Sequence, residues 1–381
     1  MKKTVILLVI VVIALVAVSI VMVYSTSAIY AEEKFQDERF FLKKSLFWVG
    51  ISIGPFILCS FCNYRIFKYL SLFLMAVSMG LLLLTMFGPF GHTAGGATRW
   101  LRIGPIGFQP SELAKMAVIV YLADVLSRKQ DTIKFFFKSL LFPSLLVCVI
   151  LFLILQQPDL GTTALVALIT LMMFLVAGIK LTYFFLSIAG GVMGLAVLIL
   201  KFPYRMKRVI AFLDPFQDPQ GSGFQIIQSF IALGSGGMYG VGLGEGKQKL
   251  FYLPEAHTDF IFAIIGEELG LLGTFCVTVL FFVFFICGVC IAYRCRDVFG
   301  KLLATGLVMA ISVQAAINIC VVTGMMPTKG IPLPFLSFGG TNLLVNFIAT
   351  GVLINIALRG NDKVVDVKPV KKQRIKLIPG R

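Results

Sequence analysis

Apolar stretches of about 20 residues recur along nearly the whole chain and restrict its fold more than any other feature. A helix of this length is long enough to cross the hydrocarbon core of a bilayer. The pattern predicts ten spans, at residues 5–25, 45–62, 66–87, 110–127, 138–156, 160–178, 182–201, 259–293, 302–325 and 340–358. The predicted fold class is therefore an all-α polytopic membrane protein with ten transmembrane helices.

The composition agrees with a chain that lies mostly in lipid. Hydrophobic residues make up 58% of the sequence and charged residues 14%, against about 25% charged residues in a soluble domain. No stretch is long and polar enough to predict a separate soluble domain. The N-terminal apolar run is too long for a typical signal peptide and is interpreted as a retained first helix. We predict one transmembrane domain at 1–358 and a basic tail at 359–381.

The net charge of +16 does not indicate a nucleic-acid-binding protein. The basic residues are spread over many short loops and the short tail, a distribution that orients helices in a membrane with anionic lipid headgroups. With ten spans both termini lie on the same side, and most Lys and Arg residues fall there. The positive-inside rule makes that side cytoplasmic. We therefore predict membrane lipids as partners and no nucleic acid.

The long connections then fall on the outer face, at 26–44, 88–109, 202–258 and 326–339. Long connections without evident secondary structure are usually functional. The largest, 202–258 between the seventh and eighth spans, begins with KFPYRMKRVIAFLDPF, which predicts an interfacial amphipathic helix. It continues with the glycine-rich GSGGMYGVGLGEG, which lacks the setting of a phosphate-binding loop and is interpreted as mobile or tightly turned.

Several charged residues gather in the segment RWLRIGPIGFQPSELAK, 99–115. Arg99 and Arg102 flank Trp100 in the outer loop. Glu112 and Lys115 are three positions apart, so they share a helix face and can form an ion pair. Two interpretations stay open for that pair: contact with a substrate, or a purely structural link at the start of a membrane helix.

Two aspartates stand where a loop meets a membrane helix. Asp159, in QQPDLGT, is predicted to cap the sixth span. Asp259 follows His257 and Thr258 in PEAHTDF, where a polar stretch turns apolar. An acid at such a boundary is costly unless it has a task. Asp259 is therefore a candidate general base, and the alternative is that Thr258 or Asp259 only caps the eighth span.

The segment from Asn318 to Asn342 interrupts the apolar pattern with prolines and glycines. Irregular backbone at membrane depth is tolerated where it is buried in protein or lines a wet cavity. Lys329 is the basic residue of this segment, so we predict a re-entrant loop that points a lysine at an anionic headgroup. A base and several cations at the outer leaflet suit a lipid-linked diphosphate, whose displacement needs a proton acceptor and positive charge on the leaving group.

The motifs PEAHTDFIFAIIGEELG (254–270) and MPTKGIPLPFLSFGGTN (326–342) resemble those of the SEDS family of bacterial cell-wall growth. Further matches are GATRWLRIGPIGFQPSELAK (96–115), QQPDLGT (156–162) and QSFIALGSGGMYGVGLGEGKQKLFYLP (228–254). They follow the family's order across nearly the whole chain. The sequences of these motifs are more similar to those of the division and sporulation branches of the family than to those of the elongation branch.

The resemblance implies a ten-helix peptidoglycan glycosyltransferase of the bacterial cytoplasmic membrane, acting at the division septum. Its substrates would be lipid II and the growing glycan strand, and its partners a class B penicillin-binding protein and other divisome proteins. The family's essential acid matches Asp259, which would deprotonate the acceptor hydroxyl while undecaprenyl diphosphate leaves. Residues of the family's cavity match Arg99, Trp100, Arg102, Glu112, Lys115, His257, Lys329 and Ser337.

Two other functions compete with this one. A lipid II flippase or transporter would also use many spans and a polar cavity, although the ionisable residues gather on the outer face rather than at the midplane where coupled transporters bind. A non-catalytic divisome scaffold would need Asp259 only as a cap. The sequence predicts no metal-ligand residues, and it leaves open whether a divalent cation, Mg²⁺ or Mn²⁺, assists as a cofactor.

Overall fold

The computed structural model describes residues 1–94, 97–104, 106–133, 140–250, 253–254 and 256–360. The described part contains twelve α-helices and one small sheet. The helices are α1 Lys2–Phe35, α2 Phe40–Phe61, α3 Ile66–Phe87, α4 Pro110–Arg128, α5 Leu141–Gln156, α6 Leu160–Ala177, α7 Leu181–Lys201, α8 Pro203–Leu213, α9 Phe224–Gly236, α10 Ile261–Arg294, α11 Val298–Val322 and α12 Gly340–Arg359. The predicted basic tail lies, from residue 361 onward, outside the described residues.

Each of the ten predicted spans overlaps one of these helices, and eight of the ten helices are long and apolar enough to cross a membrane. The other two fall short for different reasons. Helix α5 has only 16 described residues, and the predicted start of its span lies outside the described part. Helix α4 is polar for a span because it carries the buried residues Glu112, Lys115 and Asp124. The eight helices define a multi-pass membrane protein.

The first predicted outer loop, 26–44, is wrong in this structure. Helix α1 continues to Phe35 and α2 begins at Phe40. With 34 residues, α1 is about 50 Å long at about 1.5 Å per residue, well beyond the roughly 30 Å hydrocarbon core. The connection therefore consists of only the four residues 36–39, and the polar residues Glu32, Lys43 and Lys44 stand on the ends of the two helices.

The second predicted loop, 88–109, contains secondary structure that the sequence pattern did not reveal. Strands β1 Gly91–Ala94, β2 Ala97–Ile103 and β3 Ile106–Phe108 form an antiparallel sheet in the order β1-β2-β3. The register pairs His92 with Trp100 and Arg102 with Gly107, with an irregularity after His92. The strands are too short for a clear alternation of polar and apolar residues.

The large segment 202–258 begins with helix α8, which confirms a helix where the amphipathic pattern predicted one. Helix α9 follows it. The glycine-rich stretch is tightly turned, with positive φ at Gly237, Gly240, Gly242 and Gly244. Its backbone N–H groups at Val241 and Gly242 donate to carbonyls of α10 at 2.9 and 3.1 Å.

Helix α10 is bent at one of the two predicted glycines. Gly270 has φ 67° and ψ −164°, which interrupts the helix, whereas the backbone at Gly273 stays helical. A Cβ built on Gly270 would lie 2.3 Å from the backbone N of Gly240. The bend therefore lies where the backbone of α10 meets the backbone of the glycine-rich stretch so closely that residue 270 cannot carry a side chain. It places the first half of α10, next to Asp259, against the outer segment.

The helices around the middle of the bundle pack on α4 and α12, whose residues are largely buried. Helix α12 lies against α2, where a Cβ built on Gly340 would meet Cε2 of Trp48 at 2.0 Å. Glycine is therefore required for the indole to lie flat on the helix start. Helix α7 is the opposite case, because it has no buried residue among its described positions.

Candidate active site

Asp259 lies half-buried just before α10, and it is not the cap of that helix. Helix α10 begins at Ile261, and the N-cap position is occupied by Phe260. The interpretation of Thr258 or Asp259 as a cap is therefore wrong. The carboxylate faces the 324–339 loop instead, since a Cβ built on Gly330 would lie 2.8 Å from Oδ2 of Asp259.

Two amides of α11 fix this loop to the start of α10. Nδ2 of Asn318 donates to the carbonyl O of Asp259 at 2.7 Å and to that of Ile331 at 2.8 Å. Nε2 of Gln314, one turn earlier, donates to the carbonyl O of Pro332 at 2.8 Å. The loop has prolines and irregular backbone, so these side chains satisfy carbonyls that no helix or sheet can serve. These hydrogen bonds fix the backbone of the loop next to Asp259.

Ser337 belongs to the same bracing. Its Oγ donates to the carbonyl O of Thr258 at 2.5 Å and accepts from the backbone N–H of Leu333 at 2.7 Å. The backbone N–H of Phe338 donates to the carbonyl O of His257 at 3.0 Å. The hydroxyl of Ser337 is thus used to hold two backbone segments together. Its contact with a substrate stays a prediction.

The predicted ion pair of Glu112 and Lys115 is confirmed, and it is buried. Nζ of Lys115 lies 2.8 Å from Oε2 of Glu112 and 2.6 Å from Oε1 of Gln314. Nδ2 of Asn342 donates to the same Glu112 oxygen at 3.0 Å. With relative exposures of 3% for Glu112 and 2% for Lys115, both side chains face protein. They link α4 to α11 and α12 beneath the loop, and substrate contact by them stays a prediction.

Lys329 lies half-buried in the loop, next to Gly330, and Arg208 of α8 approaches it. Nη1 of Arg208 donates to the carbonyl O of Thr328 at 3.1 Å. Burial lowers the pKa of Lys329, the positive charge of Arg208 lowers it further, and Asp159 acts in the opposite direction. The structure thus places the predicted lysine one residue before Gly330, which faces Asp259, and adds a second cation from a distant helix.

Arg99 holds the turn that contains Asp159. Its Nε donates to the carbonyl O of Gln157 at 3.1 Å, and its Nη2 donates to that of Pro158 at 2.5 Å. Asp159 caps α6 as predicted, accepting from the backbone N–H of Thr162 at 3.1 Å and from its hydroxyl at 2.8 Å.

The same turn touches the Lys329 loop. A Cβ built on Gly161 would lie 3.0 Å from Cγ1 of Ile331. Arg99 is hydrogen-bonded to this turn, and the turn packs against the loop. Strand β2 is therefore linked to the candidate site through the turn.

Trp100 and Arg102 lie two positions apart on β2 and share one face of the sheet, whereas Arg99 lies at the irregularity in the register with β1. Arg102 is exposed, and its Nε donates to the carbonyl O of Gly104 at 3.4 Å. Trp100 is half-buried over Gly107. No contact recorded for the described residues joins either side chain to Asp259.

His257 lies in an aromatic cluster. Its ring centroid is 4.8 Å from that of Phe41, 5.8 Å from Tyr30 and 6.0 Å from Phe338. Half-buried among three rings, His257 joins α1 and α2 to the 324–339 loop. The prediction that it contacts a substrate is untested.

Three residues that the sequence interpretation left out of the site are Arg208, Gln314 and Asn318. The amides of Gln314 and Asn318 lie one turn apart on the same face of an apolar helix. Buried polar side chains need hydrogen-bond partners, so this pattern indicates that non-helical backbone lies against that face. Arg208 sits three residues after Arg205, and the two share a helix face. The spacing of these residues is visible in the sequence, but their hydrogen-bond partners lie up to 120 residues away along the chain.

A metal ion would find few ligands here. In the part of the chain that the structure describes, no three His, Cys, Asp or Glu side chains lie close enough to hold one. Asp159 accepts the hydrogen bonds of its cap, whereas the Asp259 carboxylate faces Gly330 of the loop. Mg²⁺ is commonly bound by one or two carboxylates together with substrate phosphates. The residues present fit an ion that arrives with a diphosphate.

Comparisons with known proteins agree over nearly the whole chain. The family described as "Cell cycle protein", that of FtsW, RodA and SpoVE, matches residues 5–361. A probable peptidoglycan glycosyltransferase FtsW of Geobacter sulfurreducens is 42% identical over 350 residues, covering 91% of this chain and 93% of the relative. Stage V sporulation protein E of Bacillus subtilis is 42% identical over 352 residues, covering 92% and 96%.

Solved structures give the same fold. A chain of a peptidoglycan synthase complex that coordinates polymerization and crosslinking superposes with a TM-score of 0.75 at 28% identity, covering 93% of this chain and 98% of that one. The rod shape determining protein RodA of Thermus thermophilus superposes with a TM-score of 0.70 at 24% identity, covering 93% and 97%. The chain therefore belongs to the SEDS family of FtsW, RodA and SpoVE, and it resembles FtsW more than RodA.

Proposed function

We propose that this chain is a peptidoglycan glycosyltransferase that polymerises lipid II into glycan strands during cell division. Relatives named probable peptidoglycan glycosyltransferase FtsW, which are up to 42% identical to this chain, support the activity. The proposal places the chain in the bacterial cytoplasmic membrane at the septum, with ten spans, both termini cytoplasmic, and the 202–258 segment outside. The predominance of basic residues on the proposed cytoplasmic side supports this orientation.

One observation carries the chemical part of the proposal. The Asp259 carboxylate lies beside Gly330, and the residue that precedes this glycine in the loop is the half-buried Lys329. This puts a proton acceptor and a cation at one boundary between polar and apolar chain. Glycosyl transfer from a lipid-linked diphosphate needs that combination, a base for the incoming hydroxyl and positive charge for the leaving phosphates.

Asp259 would remove the proton from the 4-hydroxyl of the acceptor GlcNAc as its oxygen attacks C1 of the lipid-linked MurNAc. The bond from C1 to the diphosphate oxygen breaks, and its electron pair leaves with undecaprenyl diphosphate. Lys329 would stabilise the negative charge that develops there. Asn318 would keep Asp259 oriented by its hydrogen bond to the backbone carbonyl of Asp259 at 2.7 Å. Such positioning lowers the reaction barrier because the base is already held in the geometry that the reaction needs.

A divalent cation, Mg²⁺ or Mn²⁺, is an optional part of the proposal. When bound it would neutralise phosphate charge, with the Asp259 carboxylate beside Gly330 as a protein ligand. The partners proposed are a class B penicillin-binding protein, which cross-links the strands, and other divisome proteins. The similarity to a chain of a peptidoglycan synthase complex supports the first of these.

The test is lipid II polymerisation by the purified chain with its penicillin-binding partner, with and without EDTA. Wild type is expected to form glycan strands, and Asp259→Asn to lose activity by a factor of about 10²–10⁴, the usual contribution of a general base. Asp218→Asn, at an exposed acid of the same outer segment, is the matched control and should retain activity. Transbilayer movement of lipid II without polymerisation would favour a flippase, and wild-type growth with Asp259→Ala would favour a scaffold.

A further inference from the structure

Helix α8 carries two arginines on its half-buried side. Arg205 and Arg208 are three positions apart, and Lys207 between them is exposed. The guanidinium of Arg208 is fixed in place by two contacts. Its Nη1 donates to the carbonyl O of Thr328 at 3.1 Å, and its centre lies 5.0 Å from the ring centroid of Tyr204. An arginine used only as a lipid anchor would extend toward the membrane surface instead.

The fold places this arginine next to another cation. Lys329 follows Thr328 directly, is itself half-buried, and has its pKa lowered by burial and by the charge of Arg208. The acid that opposes this effect is Asp159, and both of its carboxylate oxygens accept hydrogen bonds from Thr162. Two cations held together in this way are unfavourable until an anion joins them.

We propose that Arg208 and Lys329 together bind the diphosphate of the lipid-linked donor, so that α8 supplies part of the substrate site. The inference rests on the proposed function and assigns a position to its leaving group. A guanidinium has five N–H donors in a planar fork, and one contact with Thr328 leaves others for phosphate oxygens. The diphosphate would then lie on the Arg208 side of the loop, with Asp259 beside Gly330 facing the acceptor.

The test measures binding rather than turnover. Purified chain in detergent is titrated with undecaprenyl diphosphate and with undecaprenyl monophosphate. We expect Arg208→Ala to weaken diphosphate binding roughly ten- to a hundredfold, as for the loss of a charge-assisted hydrogen bond. Arg208→Lys should recover part of this because it restores the charge without the fork. Lys207→Ala, which removes the same charge from the exposed side, should stay within about twofold of wild type.

A structural role for Arg208 makes a different prediction. Arg208→Gln keeps a side-chain donor for the Thr328 carbonyl but has no charge. If it folds with a wild-type melting temperature and still binds the diphosphate as wild type does, the proposal is wrong. Equal losses in Arg208→Ala and Lys207→Ala would also overturn it, because only net charge would then matter.

Two competitors separate the possible sources of the phosphate. Inorganic pyrophosphate should displace the lipid-linked diphosphate, more weakly than the lipid itself, whereas phosphatidylglycerol should not. Displacement by phosphatidylglycerol would show a general lipid anchor and contradict the proposal. Polymerisation is measured on the same protein preparations after the penicillin-binding partner is added. Arg208-dependent binding without polymerisation would refute the proposed function alone, and polymerisation with Arg208-independent binding would refute this inference alone.

Discussion

Replacing Gly330 by alanine tests the position of the Asp259 carboxylate without changing any charge. The Cβ of the alanine would lie 2.8 Å from Oδ2 of Asp259, whereas ordinary contacts begin at 3.4 Å. The carboxylate must therefore retreat by about 0.6 Å, the difference between those two distances. Gly330 is exposed and is not among the glycines with positive φ. Alanine is thus compatible with its backbone, and the fold should be unaffected.

The expected cost follows from the sensitivity of catalysis to geometry. A misplacement of about 1 Å can reduce the rate by about 10², so a shift near half of that should lower lipid II polymerisation by about tenfold. The assay compares initial polymerisation rates of Gly330→Ala and wild type at saturating lipid II, together with their melting temperatures. A tenfold lower rate at an unchanged melting temperature is the predicted result.

Gly339→Ala is the matched control. Gly339 lies in the same loop, and a Cβ there would meet Cβ of Asn342 at 3.6 Å, an ordinary contact. This variant should polymerise lipid II as wild type does. If Gly330→Ala is as active as wild type, or if both alanine variants lose activity equally, the carboxylate is not the group that the loop positions, and the reasoning fails.

Three further predictions concern buried or crowded groups. Glu112→Gln leaves the Lys115 cation buried without its counter-charge, so it should lower the free energy of unfolding by about 3–5 kcal/mol. Thermal unfolding in detergent measures this loss, and the double variant Glu112→Gln with Lys115→Met should lose less stability. Gly340→Ala forces a Cβ to 2.0 Å from Cε2 of Trp48 and should cost at least the roughly 1–3 kcal/mol of overpacking; an unchanged melting temperature would contradict the close contact. Folding lowers the pKa of Lys329 through burial and a neighbouring arginine, so its charge destabilises the fold at neutral pH, and this cost disappears as the pH rises toward the ordinary lysine value. Lys329→Met should therefore melt at a higher temperature than wild type at neutral pH, with a difference that shrinks in alkaline buffer.

Local patterns in the sequence were sufficient for the parts of the fold that depend on neighbours along the chain. Each of the ten predicted spans overlaps a helix, Asp159 caps α6, and α10 bends at Gly270. The Glu112–Lys115 pair formed as its spacing indicated. The cap and the ion pair are set within about four residues, where helix geometry dictates which groups meet, and the spans follow from the length of each apolar run.

The site itself depends on contacts that sequence spacing does not encode. Arg99, whose predicted contact with a substrate is untested, holds the carbonyls of Gln157 and Pro158, 58 and 59 residues away. Asp259 suited a helix cap by pattern, and the helix starts one residue too late for it. Its surroundings come from the loop near Gly330, about 70 residues on, and only the folded bundle brings these segments together.

The central claim is that Asp259 acts as a base and not as a structural acid. The most direct measurement is single-turnover polymerisation of lipid II by Asp259→Asn protein with its partner, alongside lipid II binding by the same protein. The account predicts binding within a few-fold of wild type and a chemical step slower by a factor of about 10²–10⁴. A wild-type chemical step in Asp259→Asn would contradict it.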